Sequence, residues 1–305
     1  MTRLGLLISL PLLAADPASV AIGSPKVRAV VVPDKGGEMA SLSVLHKGRW
    51  VETLYRALDY SGKPGWTGKA PFLWPATGRN GDLMPIHGFA RDIPWKLESK
   101  RANRVSVSLR DTDQTRKMYP HGFHIVADYQ INGAAIAISY AVTAAASNTA
   151  PMPFSAGNHI TFRTPLIDGT DPLKMEFETP STIEYLKTTG GVPTGEKRPR
   201  TFAKGTPLGS FPAMSAISLS GYSGDPHMLL RDPGGMTIRM SQTADRVPEE
   251  PVVRFNVWGD PKNGYFSPEP WVGLQNSFHL QKGLVTLAPG STWKWRIDLS
   301  VEAAQ

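Results

Sequence analysis

The sequence predicts an all-β domain of antiparallel strands, on three observations. Short runs of alternating or β-branched apolar residues recur along the whole chain. Turn formers, 29 Gly and 27 Pro among 305 residues, separate them. No stretch carries the apolar period of a long helix. A single domain over residues 24–302 accommodates these strands, because all-β domains often reach about 200–250 residues, and no repeat period or linker divides them.

Ahead of the first strand, Arg3 supplies a positive start, residues 4–13 are apolar apart from Gly5, Ser9 and Pro11, and the small Ala14 and Ala15 follow. This is the pattern of a short secretory signal over residues 1–15. It is too short to span a bilayer, which takes about 20 apolar residues, so no membrane insertion of the mature chain is expected. A cleaved signal makes the protein periplasmic or secreted; a buried N-terminal strand, the competing reading, leaves it cytoplasmic.

Val27–Val32, VRAVVV, is a β-branched run between Pro25 and Pro33 and reads as a buried strand. A turn from Asp34 to Gly37 leads to a strand at residues 41–45, and a second turn at residues 46–49 leads to residues 50–54. A polar, Gly-rich loop over residues 59–69 delivers the chain to Phe72, Leu73 and Trp74, whose backbone is fixed between Pro71 and Pro75. Residues 95–98, 104–109, 124–130 and 135–143 are further strands, and Asn132-Gly133 joins the last two with the strongest short hairpin signal there is.

In the second half, residues 173–177 and 182–186 are short strand candidates. Residues 188–207 read as a long loop, of the kind that forms lids or binding segments. Residues 228–230 and 237–240 flank a hairpin turn at Asp232-Pro233-Gly234-Gly235, and residues 252–258, 284–287 and 293–301 close the domain.

The formal charge of +7 is scattered along the chain. Its one dense cluster, Lys197, Arg198, Arg200 and Lys204, has no aromatic ladder or nucleic-acid motif beside it and reads as a solvated basic loop, with contact to an acidic sugar or a phosphate as the minor alternative. No nucleic-acid partner is expected. The absence of cysteine removes disulfides, thiolate metal sites and Cys nucleophiles together. P-loop, Rossmann glycine and GxSxG patterns are also missing. His121 and His124 share an HxxH spacing, but strand alternation puts them on opposite faces, so no metal site is expected.

Three stretches carry candidate chemistry. The first is GRNGDLMPIHGFARDIPW, residues 78–95, which sets Arg79, His87 and Arg91 among glycines, prolines and aromatics as a fixed loop would. Arg79 is a rigid multi-donor suited to sugar hydroxyls or carboxylates, and His87 adds a donor at the same centre. Arg91 is expected to pair with Asp82 or Asp92 and hold the loop. The second is FSAGNHITF, residues 154–162, where His159 sits at a strand edge, able to act as acid or base near neutral pH. The third is FSPEPW, residues 266–271, where Glu269 lies between Pro268 and Pro270 in partly apolar surroundings that fix a carboxylate and raise its pKa toward general-base work.

Together PFLWPATGRN (71–80), IHGFARDIPW (86–95), PFSAGNHITF (153–162) and SPEPWVG (267–273) resemble the aldose 1-epimerases, or galactose mutarotases, and their hexose-phosphate relatives, in the family's order and over nearly the whole chain. The resemblance implies an all-β, galactose mutarotase-like antiparallel β-supersandwich with a sugar cleft. It implies Glu269 as general base on the anomeric hydroxyl, His159 as general acid on the ring oxygen, and Arg79, Asn80 and His87 as substrate-binding residues, with Asp225 as a counterpart of the family's substrate-binding Asp. No metal or organic cofactor is implied, and the partner is a small-molecule sugar. After its acid the family often has a His-x-Tyr-Phe-Asn segment, whereas this chain reads His159-Ile160-Thr161-Phe162-Arg163. That departure puts the identity of the sugar in question. A non-catalytic carbohydrate-binding protein, and a polysaccharide lyase or hydrolase on the same fold, are the two competing readings.

Overall fold

A computed structural model describes residues 19–56, 68–188 and 190–303. The expected secretory signal lies outside the described residues, as does most of the expected loop over residues 59–69. Among the described residues the strands pair antiparallel within every sheet, and no helix is long and apolar enough to cross a membrane.

The chain opens with a four-stranded meander, Val20–Gly23, Val27–Val32, Glu38–His46 and Arg49–Glu52. Its first strand lies ahead of the expected domain start at residue 24, because residues 20–23 find a full antiparallel partner in residues 28–31.

Two large sheets follow. One is nine-stranded, and its centre is the run Met236–Ala244, Thr292–Ala303, Ala135–Ala144, Phe123–Asn132 and Arg104–Arg110. The expected hairpins at Asn132-Gly133 and Asp232 to Gly235 both join neighbouring strands in it. The other is eight-stranded and runs Pro193–Pro199, Ile183–Lys187, Ile217–Ser220, Val253–Asp260, Tyr265–Gly273, Ala156–Asn158 and Phe72–Leu73, with Phe162–Arg163 also on Tyr265–Gly273. The sheets face each other through aromatic side chains. Phe72 of the eight-stranded sheet stacks on Tyr140 of the nine-stranded one with ring centroids 4.2 Å apart, and Tyr140 stacks on its cross-strand neighbour Trp295 in that same sheet at 5.5 Å. Such pairs add about 0.5–1.5 kcal/mol each beyond the area they bury.

Some elements differ from the sequence-based expectation. The supposed long loop over residues 188–207 contains the strand Pro193–Pro199, paired to Ile183–Lys187; the Arg198 guanidinium there makes two bonds of 3.0 Å to the Glu184 carboxylate across the ladder. Within residues 173–177, Pro172–Lys174 forms a 3-10 turn capped by Asp171, and the strand is only Glu176–Glu178. A short helix, Asp113–Met118, is closed by a capping box in which the Thr112 and Thr115 side chains each accept the other's backbone N–H.

Candidate active site

The site lies at a break in the eight-stranded sheet. Residues 156–157 pair with residues 271–272, and residues 162–163 pair with residues 265–266. These pairings skip residues 267–270. Over the break, His159 N–H donates to Pro71 O and Thr161 N–H to Lys69 O, both at 2.9 Å, so residues 159–161 stay with the segment on their other side. An interrupted ladder is where prolines are tolerated inside a sheet, and Pro268 and Pro270 bracket Glu269 there. The FSPEPW segment is therefore a buried strand and not a loop, with Glu269 only 1% exposed.

Across the gap, His159 Nε2 lies 3.7 Å from Glu269 Oε1. Glu269 Oε1 accepts from Asn256 Nδ2 at 3.0 Å, and Oε2 accepts from Trp271 Nε1 at 3.1 Å. Burial raises its pKa to about 8, against the pull of these two donors and of the Lys187 and Arg91 charges. The His159 ring is fixed by Thr161 and Trp258. Thr161 Oγ1 donates to His159 O at 3.0 Å and accepts from Ser267 Oγ at 2.9 Å. With the Thr161 hydrogen so used, His159 Nδ1 is the donor in its 3.2 Å contact to Thr161 Oγ1. Its other nitrogen, Nε2, is then the atom that gains and loses a proton, on the side of Glu269. Burial, then the Arg91 charge, lowers the His159 pKa to about 3.

His87 is delivered by the 78–95 loop, whose shape is locked by tight turns. A Cβ on Gly78 (φ 65°) would come within 2.2 Å of the Gln275 side chain, and one on Gly88 (φ 71°) within 2.2 Å of Trp74 O. His87 itself adopts φ 68°, a left-handed conformation that costs a non-glycine residue of order 1–3 kcal/mol and recurs at functional sites. Gly78 N–H donates to His87 Nδ1 at 3.1 Å, and His87 N–H returns a bond to Gly78 O at 2.9 Å. His87 therefore carries its proton on Nε2. Its ring meets that of His159 edge-on, with centroids 5.5 Å apart. Burial and then the charges of His159, Arg91 and Arg79 hold its pKa well below the usual histidine value, so it is a neutral hydrogen-bond donor.

His87, His159, Glu269 and Arg79 open onto one cleft of about 1280 Å³. Arg91 reaches the same cleft; it bonds Ile86 O at 3.1 Å and lies 3.7 Å from the Asp92 carboxylate, the expected loop-holding pair. Asn80 is not turned to this cleft. Its Oδ1 accepts from Phe278 N–H at 3.1 Å and its Nδ2 donates to Thr77 O at 3.3 Å, so the side chain ties residues 77–80 to the 276–280 turn. Asp225 is exposed and does not line the cleft. Its turn precedes His227–Asp232 of the other sheet, which leads away from residues 159 and 269.

Lys187, Asn256 and Trp258 belong to the site without having been singled out from sequence. Asn256 had a readable signal: alternation in VVRFNVW puts it on the face of Trp258, and antiparallel register sets it opposite Glu269. Lys187, the last residue of a short strand, had none. Its pKa falls to about 8 through burial, opposed by Glu269 and Glu184. Among the described residues no group of three or more His, Asp and Glu side chains is placed to hold a metal ion.

The sequence model of the family described as aldose 1-epimerase matches residues 19–300. The chain is 33% identical over 69 residues to a protein of Escherichia coli K12 named as a presumed glucose-6-phosphate 1-epimerase, covering 21% of this chain and 24% of that one. It is 29% identical over 119 residues to the plasmid protein LacX of Lactococcus lactis, covering 34% of this chain and 40% of that one. The matched stretches thus span less than half the length of these relatives. Among solved structures, a galactose mutarotase-like protein from Clostridium acetobutylicum superposes with a TM-score of 0.78 at 20% identity, covering 93% of this chain and 95% of that one. A galactose mutarotase related enzyme from Lactobacillus acidophilus does so at 0.73 and 19%, covering 94% and 98%. The expected fold class is the observed one.

Proposed function

Since the chain belongs to the aldose 1-epimerase family, we propose that it interconverts the α and β anomers of a sugar, with Glu269 as base and His159 as acid. The observation that carries this reading is the buried pair itself, His159 Nε2 and Glu269 Oε1 facing each other at 3.7 Å on the wall of the cleft. The Glu269 carboxylate takes the proton of the anomeric hydroxyl. The O–H electrons form the C1 carbonyl as the bond from C1 to the ring oxygen breaks, and that oxygen takes the proton from His159 Nε2. Rotation about the C1–C2 bond and reclosure with the two roles exchanged give the other anomer, so the enzyme ends as it began. Neutral His87, donating from Nε2, and the Arg79 guanidinium orient the sugar. A carbohydrate-binding role without catalysis gives no reason for an acid and a base at this spacing.

The cleft carries charges of both signs, Lys35, Arg79, Arg91, Lys187 and Arg198 against Asp34, Glu38, Asp92, Glu184 and Glu269, so neutral sugars, uronic acids and hexose phosphates are all candidates. If residues 1–15 direct export, a free sugar or sugar acid is the form met outside the cytoplasm; N-terminal sequencing of the mature protein checks that.

The test is anomer exchange, followed by NMR saturation transfer or polarimetry over neutral sugars, uronic acids and hexose phosphates, with Glu269→Gln and His159→Asn as controls. Acceleration that both variants lose is the expected result. Sugar binding without acceleration would overturn it in favour of a binding protein, and activity on polymers alone in favour of a lyase or hydrolase.

A further inference from the structure

We propose that Lys187 is a positioning residue that favours the carboxylate form of Glu269 by acting through Asn256, an inference that rests on reading Glu269 as the base. Four neighbouring strands set up the line. Tyr185 pairs with Ser218, Ser218 with Asn256, and Asn256 with Glu269, which is a row straight across the sheet. Lys187 lies two residues beyond Tyr185, past a register shift in the ladder, and its side chain reaches the same row. Its Nζ donates to Asn256 Oδ1 at 3.3 Å, and Ser218 Oγ donates to the same oxygen at 3.0 Å. Two donors on that oxygen fix the orientation of the amide, so Nδ2 is the end that reaches Glu269 Oε1 at 3.0 Å. A cation on the oxygen of an amide strengthens donation from its nitrogen, because linked hydrogen bonds polarise one another.

The surrounding charges leave this task to few groups. Glu184, on the strand of Lys187, is held by Arg198 at 3.0 Å and faced by Arg200 at 3.8 Å. On the far side, Glu269 faces His159 at 3.7 Å, and no lysine or arginine makes a direct ion pair with it among the described residues. Lys187 and Arg91 are the cations that oppose the effect of burial on the Glu269 carboxyl, and Glu269 and Glu184 in turn support the charge of Lys187. Without Lys187, the single proton held by the Glu269 and His159 pair rests still more on the carboxylate, the wrong end for a base, and the fraction on His159 shrinks. The coupling is a matter of proton placement, and sugar contact is not required for it.

The experiment titrates the Glu269 carboxyl by carbon-13 NMR on glutamate-labelled protein, assigned with Glu269→Gln, in the wild type, Lys187→Met and Lys187→Arg. Lys187→Met should raise the Glu269 midpoint by about one pH unit, the lower end of the effect of an adjacent opposite charge, and Lys187→Arg should leave it nearly in place. In anomer exchange, Lys187→Met should lower kcat about tenfold at neutral pH with KM little changed. Lys187→Gln replaces it if the Met variant does not fold. An unmoved midpoint overturns the proposal. So does a rise in KM at constant kcat, which would make Lys187 a substrate ligand. The titration needs no sugar, so a moved midpoint without exchange on any sugar would overturn the reading of Glu269 as the base and leave the coupling standing.

Discussion

His159 Nε2 and Glu269 Oε1 stand 3.7 Å apart across a gap in one sheet, beyond direct hydrogen-bond length but close enough for neighbouring oxygens of one sugar ring to reach both. Burial pushes the carboxyl up to about 8 and the imidazole down to about 3, so between those values the pair holds one proton, resting mainly on Glu269; the proposed reaction draws on the minor placement, with that proton on His159. Two such groups titrate as a unit. Anomer exchange should therefore hold a broad plateau, falling below about pH 3, where both are protonated, and above about pH 8, where the pair loses its last proton. Polarimetry corrected for the buffer rate measures the profile, and a maximum confined near pH 6.5 would contradict it.

Glu269→Gln should reduce kcat by about 10²–10⁴-fold, the usual size of a general acid or base contribution. It should also change how stability depends on pH. From the ordinary 4.5 up to about 8 the native carboxyl keeps a proton that the unfolded chain releases, so stability falls as pH rises through this window. His159, lowered to about 3, acts in the opposite sense: its stability contribution is lost as pH falls below 6.5. Denaturation at pH 6.5 and 8.5 isolates the carboxylate. The stability of Glu269→Gln relative to wild type should grow between them by on the order of 2 kcal/mol, given 1.4 kcal/mol per pH unit.

His87→Ala should act mainly on binding. The ring is neutral and donates from Nε2, so its loss removes a contact made equally in the ground state and the transition state. Such a loss raises KM with kcat little changed, by about tenfold for one hydrogen bond of roughly 1.5 kcal/mol. Steady-state kinetics on the preferred sugar tests this; an equal fall in kcat and kcat/KM would instead assign His87 to the chemical step.

The strands were legible because alternation and turn residues are local signals, and the hairpins at Asn132-Gly133 and Asp232 to Gly235 stand where those signals put them. His159, Glu269, His87 and Arg79 were legible as unusual residues in rigid frames. Their convergence was not: it depends on pairings between residues 69–73, 156–163 and 265–273, far apart in the chain. Lys187 was invisible for the same reason, since its meaning comes from a row across four strands. Asn80 and Asp225 show the opposite failure. Adjacency to Arg79 did not turn the Asn80 side chain toward the cleft, and a sequence likeness near Asp225 did not bring it to the cleft lining.

Asn80→Ala should destabilise the fold more than it impairs the reaction. Removing the side chain leaves the part-buried Phe278 N–H without its acceptor and the Ser277 hydroxyl with only its 3.3 Å contact to Ser155 Oγ, at a cost of about 1–3 kcal/mol. Urea denaturation should show that loss, while KM in the folded protein stays near the wild-type value. A large rise in KM at unchanged stability would return Asn80 to the substrate-binding set.

Gly157→Ala tests how closely Glu269, the proposed base, is held. Gly157 pairs with Trp271, and a Cβ there would lie 2.7 Å from Trp271 Cδ1, 3.0 Å from its Nε1 and 3.1 Å from Thr77 Cγ2. The indole, fully buried, has no open space to enter, so it must shift and carry its N–H away from Glu269 Oε2, now at 3.1 Å. Overpacking of this kind costs about 1–3 kcal/mol of stability. The loss of a donor to the carboxylate should also raise the Glu269 midpoint and lower kcat by roughly tenfold, since a bond to a charged group is worth about 1.5–3 kcal/mol. Thermal denaturation and the carboxyl titration separate the two effects. A variant that melts early but keeps the wild-type midpoint would mean that Trp271 packs beside the base without tuning it.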